Sequence, residues 1–342
     1  MKESFAEGSP VGVAQIGLGY WGKNLARVFH RLGVLQTGVD ASPERRDSFC
    51  ESYPVASVYQ SLGAALEDAS VTAVAIATPP HTHAALAEAA LTSGRDVYVE
   101  KPLCHDLDEA LRLRELVEQS GRKLMVGHLL RYHPAFEALG SSVADGAVGE
   151  VRYIETRRTN LGLIPTERNV VWNFAPHDLS LILALAGERL PDTVRCVGHA
   201  CIPDSACDAA TLTLRFFDPA IVAQAYVGWL NPIKEARLSV AGSDGAIVFD
   251  DTRPWGEKLR RFDGHRPDYD PRLGPAPRPE PAYVAVPEGE PLLAEASHFV
   301  ECCRHRQTPR TDVGEGLRVV AVLDAAQRSL DAGGDEIRPE RD

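Results

Sequence analysis

The sequence predicts an α/β fold in two parts, and three observations carry that prediction. Short apolar runs alternate with helically spaced segments through the first third, a glycine-rich turn joins the first run to the first helix, and longer two-residue alternations dominate after about Gly149. The first pattern implies a parallel sheet covered on both faces, and the last an open, mostly antiparallel sheet. A chain of 342 residues suits two domains. The expected boundaries are 1–128 and 129–310, with a closing helix over 311–332 packing back on the first domain.

Val11 to Ile16, Val34 to Val39, Val71 to Ala77, Asp96 to Glu100 and Leu124 to Val126 read as buried strands. Between the first two, Leu25, Val28, Phe29 and Leu32 fall on one helical face, and Gly33 follows as a stop. Ser42 and Pro43 read as an N-cap with proline in the first turn. Leu86, Ala89 and Ala90, then Ala110, Leu113 and Val117, repeat the helical spacing. In the second part Val151 to Arg158, Val194 to Ala200, Ala209 to Phe216, Ile221 to Trp229, Ala236 to Ala241 and Ala246 to Phe249 read as strands. The stretch from Asp251 to Pro291, rich in proline, glycine and charge, reads as a long loop or edge ribbon, with strands only around Leu259 to Phe262 and Tyr283 to Val286. Two helices, Leu292 to His305 and Val313 to Asp331, close the chain.

Composition excludes several classes of function. A net charge of −12 disfavours a nucleic-acid partner, whose phosphates need concentrated Lys and Arg. No apolar stretch reaches the roughly 18 residues of a membrane span, and the opening MKESFAEGSP lacks the layout of a secretory signal. Seven scattered cysteines without a C-x-x-C pair point to reduced thiols in a cytoplasm.

Gly17-Leu18-Gly19-Tyr20-Trp21-Gly22 lies between an apolar strand and an amphipathic helix, the context that a dinucleotide-binding turn requires. The first glycine permits the tight turn, the second lets backbone approach a pyrophosphate, and the third lets helix pack on strand; the helix N-terminus attracts the phosphates. Asp40, about twenty residues on, is placed to accept the ribose hydroxyls of NAD and to repel the extra phosphate of NADP. Glu100-Lys101-Pro102-Leu103 ends another parallel strand on the ligand-binding edge, where a lysine can bond a substrate oxygen and stabilise developing negative charge. Thr78-Pro79-Pro80-His81-Thr82-His83 ends the strand before it. Its H-x-H pair has no accompanying carboxylate or cysteine cluster, so no metal is expected. In the second part RNVVWNFAPHD, Arg168 to Asp178, carries His177, a side chain able to exchange a proton with an alcohol.

With those motifs, GHLLRYHP from Gly127 to Pro134, and an ending that contains EPLLAEASHFVECC and PRTDVGEGLRVVAVLDAAQRSL, the sequence resembles the Gfo/Idh/MocA oxidoreductases over nearly its whole length. The resemblance implies an N-terminal Rossmann domain, a C-terminal α/β domain with an open sheet that supports a homodimer or homotetramer, NAD as cofactor, and a small sugar-like substrate. It implies that Lys101 and His177 lie at the reacting carbon, His177 as acid/base and Lys101 orienting the substrate. Glu100, Thr78, Pro79 and His83 join Gly17, Gly19, Tyr20, Trp21, Gly22, Asp40 and Lys101 as implied cofactor contacts. Arg131, Tyr132, Arg158, Asn160, Arg168, Trp172 and Asn173 are implied substrate or nicotinamide contacts.

One departure matters. Many members carry an aspartate four residues before the histidine; here Asn173 stands there, and an amide cannot hold a negative charge. The likeness is strongest to members acting on nucleotide-linked sugars, such as UDP-N-acetylhexosamine 3-dehydrogenases, and on sugars of antibiotic pathways. The expected function is interconversion of a ring hydroxyl and a ketone on such a sugar. Alternatives are an inositol or free-sugar dehydrogenase and a catalytically idle NAD-binding regulator.

Overall fold

The computed structural model describes residues 10–161, 169–202, 207–264, 270, 272 and 279–340. Two compact units emerge, Met1–Leu129 with Glu290–Val320, and Leu130–Gly289 with Ala321–Asp342.

In the first unit β1 (Val13–Ile16), β2 (Leu35–Val39), β3 (Ser57–Tyr59), β4 (Ala73–Ile76), β5 (Asp96–Glu100) and β6 (Leu124–Gly127) form one parallel sheet in the order β3-β2-β1-β4-β5-β6. The order reverses between β1 and β4, which opens a crevice at their carboxyl ends. Helices α1 (Tyr20–Arg31), α2 (Pro43–Ser52), α3 (Leu62–Leu66), α4 (His83–Thr92) and α5 (Leu107–Ser120) connect the strands. Residues of β1, β4, β5 and β6 are buried on both faces, which explains why they are mostly apolar without two-residue alternation. Helix α1 buries Leu25, Val28 and Phe29 as its spacing requires, and the Ser42 hydroxyl caps α2 by accepting from the Arg45 amide. Edge strand β3 was not anticipated: its three residues are exposed or half-buried and leave no apolar run to read.

The second unit holds α6 (Pro134–Ala144), β7 (Val151–Thr159), α7 (Val170–Leu185), β8 (Thr193–His199), β9 (Ala209–Phe217), β10 (Ala220–Gly228), β11 (Glu235–Gly242), β12 (Gly245–Asp250), β13 (Leu259–Asp263) and β14 (Ala282–Tyr283). They form one sheet in the order β14-β13-β12-β11-β7-β10-β9-β8, antiparallel except between β7 and β10. Ile154 and Thr156 of β7, Ala223 and Ala225 of β10, and Leu238 and Val240 of β11 are buried, and α7 packs on β7, β9 and β10. The alternate residues Tyr153, Glu155, Arg157, Gln224, Tyr226 and Arg237 are half-buried or exposed, so the sheet keeps one open face. The expected edge ribbon is present as β13 with two-residue β14 beside it.

Helix α8 (Pro291–His305), expected in the second domain, packs in the first unit, where Phe299 meets Phe29 and Tyr98 edge-on at centroid distances of 6.4 and 5.8 Å. Helix α9 (Val313–Asp331) has its residues through Val320 in the first unit and the remainder in the second.

Candidate cofactor site and active site

The crevice between the carboxyl ends of β1 and β4 is a groove of about 750 Å³, lined among others by Gly17, Gly19, Asp40, Arg45, Thr78 and Pro79. Gly17 has φ +84°, and a Cβ there would stand 2.5 Å from the Ala77 carbonyl oxygen. A Cβ at Gly22 would stand 1.8 Å from the Gly17 carbonyl oxygen, so the third glycine serves the helix–strand approach. At Gly19 the added carbon meets nothing nearer than the Arg45 guanidinium at 3.8 Å, leaving the turn open at the start of α1. Such a turn fits a pyrophosphate. Tyr20 is 87% exposed and lines a smaller hollow with Lys23, Asn24 and Arg45.

Asp40 faces the groove, but its carboxylate already has internal partners. Oδ2 accepts from the Leu18 amide at 2.8 Å and lies 3.4 Å from Arg45 Nη1, while Oδ1 accepts from the Ser42 amide at 2.9 Å. These bonds fix the carboxylate's orientation. Oδ1, with one donor, retains a lone pair for a ribose hydroxyl. The neighbouring Arg45, missed in the sequence reading, offsets part of the charge assigned to Asp40.

His83 does not line the groove. It is 1% exposed, with Nδ1 2.9 Å from the Pro102 carbonyl oxygen and Nε2 2.9 Å from the Thr78 carbonyl oxygen, so it ties together the segments that follow β4 and β5. Burial lowers its pKa, with Lys101 and His81 adding to the effect. His81 and Thr82 take the groove-lining place that His83 was expected to fill. Glu100 and Trp21 also lie off the groove: the Trp21 indole N–H donates to Glu100 Oε1, fastening α1 to the end of β5. Burial raises the Glu100 carboxyl to about 7, opposed by Trp21 and Lys101. Lys101 follows it at the carboxyl edge of the sheet, through a cis Lys101–Pro102 bond.

In the second unit α7 starts at Asn169, whose side chain accepts from the Trp172 amide at 3.3 Å. The Trp172 indole N–H donates to Gln327 Oε1 at 3.2 Å. One turn further, Asn173 Oδ1 accepts from the Trp229 indole N–H at 3.3 Å, and half-buried His177 follows one turn after Asn173. Asp178, 1% exposed, is bound by Arg158 through Nε–Oδ2 at 2.8 Å and Nη2–Oδ1 at 3.1 Å. Burial pushes the Asp178 carboxyl up and the guanidinium pulls it down. Arg158 thus anchors α7 to β7. Arg131 is engaged likewise, donating to the Ser180 carbonyl at 3.4 Å and to Glu188 at 2.6 Å, and Tyr132 is buried at 2% exposure. Asn160 is exposed, and its main-chain N–H donates to the Gly228 carbonyl. Arg168 lies outside the described residues. Sequence reasoning missed Trp229 and Gln327, which fix the side chains at the start of α7; neither carries a local signal.

Among the described residues, no three His, Cys, Asp or Glu side chains gather as a metal site would need, and no helix is long and apolar enough to cross a membrane. All seven cysteines are unpaired.

The fold and groove define an NAD-binding oxidoreductase. The chain belongs to the Gfo/Idh/MocA family: residues 11–128 match the oxidoreductase family with an NAD-binding Rossmann fold, and residues 136–248 match the GFO/IDH/MocA C-terminal domain. It is 34% identical over 206 residues to UDP-N-acetylglucosamine 3-dehydrogenase of Acidithiobacillus ferrooxidans, an alignment covering 57% of this chain and 60% of that enzyme. It is 25% identical over 277 residues to inositol 2-dehydrogenase of Rhizobium meliloti, covering 77% and 79%. The crystal structure of a putative oxidoreductase from Magnetospirillum magnetotacticum MS-1 is similar at TM-score 0.80 and 31% identity, covering 93% of this chain and 99% of that one. The chain is accordingly an oxidoreductase of that family, with NAD as cofactor.

Proposed function

We propose that the enzyme interconverts a ring hydroxyl and a ketone on the sugar of a nucleotide-linked amino sugar or an aminoglycoside-type molecule. The observation that carries the reading is Lys101 at the carboxyl end of β5, next to the strand whose end walls the cofactor groove. The likeness to UDP-N-acetylglucosamine 3-dehydrogenase supports the substrate class. Bound NAD supplies the hydride acceptor. Lys101 holds the substrate oxygen and stabilises the negative charge that grows as its proton leaves. His177 takes that proton, and Asn173, held by Trp229, orients the neighbouring groups without adding charge. A second reading, an inositol dehydrogenase, has the longer alignment with inositol 2-dehydrogenase in its favour.

The unpaired cysteines support a reducing compartment such as the cytoplasm. The open sheet face supports a homodimer or homotetramer: there Arg157 lies over the Tyr226 ring at 4.5 Å and Val222 is exposed. Light scattering tests the assembly, and a monomer at micromolar concentration refutes it. The substrate class is tested by NADH formation with UDP-N-acetylhexosamines, aminoglycosides, inositols and free hexoses. Turnover of a nucleotide-linked or aminoglycoside sugar at least tenfold above the others supports the proposal, and preference for an inositol overturns it.

A further inference from the structure

Below the glycine-rich turn, two buried carboxyl groups share one hydroxyl. Tyr98 Oη lies 3.2 Å from Glu100 Oε1 and 2.9 Å from Glu295 Oε2, and the three residues are 0%, 8% and 0% exposed in that order. A phenol has one proton to donate, so only one of these contacts is a bond from Tyr98 to a carboxylate. The other must be an O–H donated by a carboxylic acid.

The surroundings decide which group carries that proton. Glu100 Oε1 also receives the Trp21 indole N–H, and Lys101 is the next residue. Glu295 is faced by Tyr98, by Glu100 and by Glu315. Glu315 itself meets His128 Nδ1 at 2.5 Å. Glu295 Oε1 is fully buried without a hydrogen-bond partner, which a carbonyl-type oxygen tolerates and a charged one does not. The Tyr98 ring packs edge-on with Phe29 and Phe299, at centroid distances of 6.3 and 5.8 Å.

We infer that Glu295 stands in the folded enzyme as a neutral carboxylic acid that donates to Tyr98, so that at pH 8 Tyr98 donates to Glu100 and Glu100 alone of the pair carries the charge beside Trp21 and Lys101. Glu295 is thus a positioning residue for the cofactor half, acting through Tyr98. No proton is gained or lost in this arrangement; one proton sits on each of Glu295 and Tyr98. Burial and the charges of Glu100 and Glu315 raise the Glu295 pKa well above the usual carboxylate range. If Glu295 lost its proton, two carboxylates would face one hydroxyl in a dry core, and Glu100 would be driven to protonate in its turn.

The test is Glu295→Gln, whose amide N–H can donate to Tyr98 as the acid does. A carboxyl raised in the fold gives stability that is complete below its unfolded value, near 4.5, and lost as pH rises toward its folded value. The folding constant of the wild type should therefore fall relative to Glu295→Gln by up to about tenfold per pH unit from pH 5 upward. The two proteins should be close at pH 5, and the variant the more stable at pH 8, read as the difference in urea midpoints. The pH profile of NAD affinity should not move in Glu295→Gln, because a neutral group replaces a neutral group. A variant that is less stable at every pH, or that shifts the affinity profile to lower pH, overturns the inference. Should the variant not fold, carboxyl 13C NMR of glutamate-labelled wild type decides. A protonated glutamate signal that does not titrate between pH 7 and 8 is expected, and its absence refutes the assignment.

Discussion

Arg158→Met isolates the ion pair that holds the histidine helix. It keeps the aliphatic stem and removes the guanidinium bound at 2.8 and 3.1 Å to Asp178, a carboxylate 1% exposed. The remaining charge has two outcomes, and the cheaper sets the cost: it stays ionised in the interior, or it takes up a proton. Protonation at pH 7, about three units above an ordinary aspartate value of about 3.9, costs about 4 kcal/mol. That matches the roughly 3–5 kcal/mol typical of breaking a buried pair. At pH 5 the same step costs about 1.5 kcal/mol, so the variant should regain most of its stability on acidification. Urea unfolding followed by tryptophan fluorescence reads the second unit directly, because Trp172, Trp229 and Trp255 all lie there. Adding Asp178→Asn to Arg158→Met should restore much of the loss at pH 7, since no charge is then left to bury. A loss that is the same at pH 5 and pH 7, or a double variant no better than the single one, would refute the reasoning.

NAD should bind about 10- to 100-fold more tightly than NADP, a modest ratio because Arg45 lies 3.4 Å from the Asp40 carboxylate. Fluorescence titration of both reduced cofactors checks this, and equal affinities remove Asp40 from its role. Lys101→Ala should lose most turnover with NAD affinity nearly unchanged, and Lys101→Arg should fail as well, since a planar fork does not replace a compact charge. A Lys101→Ala enzyme with near wild-type kcat would sink that assignment. Asn173→Asp should keep the fold, because the Trp229 indole N–H can donate to a carboxylate as it does to the amide, and should raise the apparent pKa of the group required for oxidation. An unchanged pH profile of kcat/KM would separate His177 from that position.

Much of the cofactor half was legible because its determinants are local. A glycine that must adopt positive φ, a strand buried on both faces and a carboxylate at a strand end each leave a mark within a few residues, as Gly17, Ile76 and Asp40 do. The second sheet was readable from its alternation, down to buried Ile154 and half-buried Glu155. Helix α6 escaped because PAFEALGSSVA interrupts its apolar spacing with glycine and serines. The contacts that decide each side chain's job were less visible, since they join residues far apart in the chain. Arg131 and Arg158 look like anion-binding residues by type, yet Glu188 and Asp178 already engage them. The resemblance implied His83 as a cofactor contact, and its two nitrogens meet main-chain carbonyls. The meeting of Tyr98 with Glu295, 197 positions away, has no local signal.

Lys101 and His177 are proposed to act on a substrate hydroxyl, with NAD affinity set mainly by other residues. The most direct test is single-turnover NADH formation with saturating NAD and the best substrate of the panel, for wild type, Lys101→Ala and His177→Ala. The account predicts that His177→Ala slows the first turnover by about 10²- to 10⁴-fold and Lys101→Ala at least as much, with NAD affinity within about threefold of wild type in both. A first turnover at the wild-type rate in either variant would contradict it.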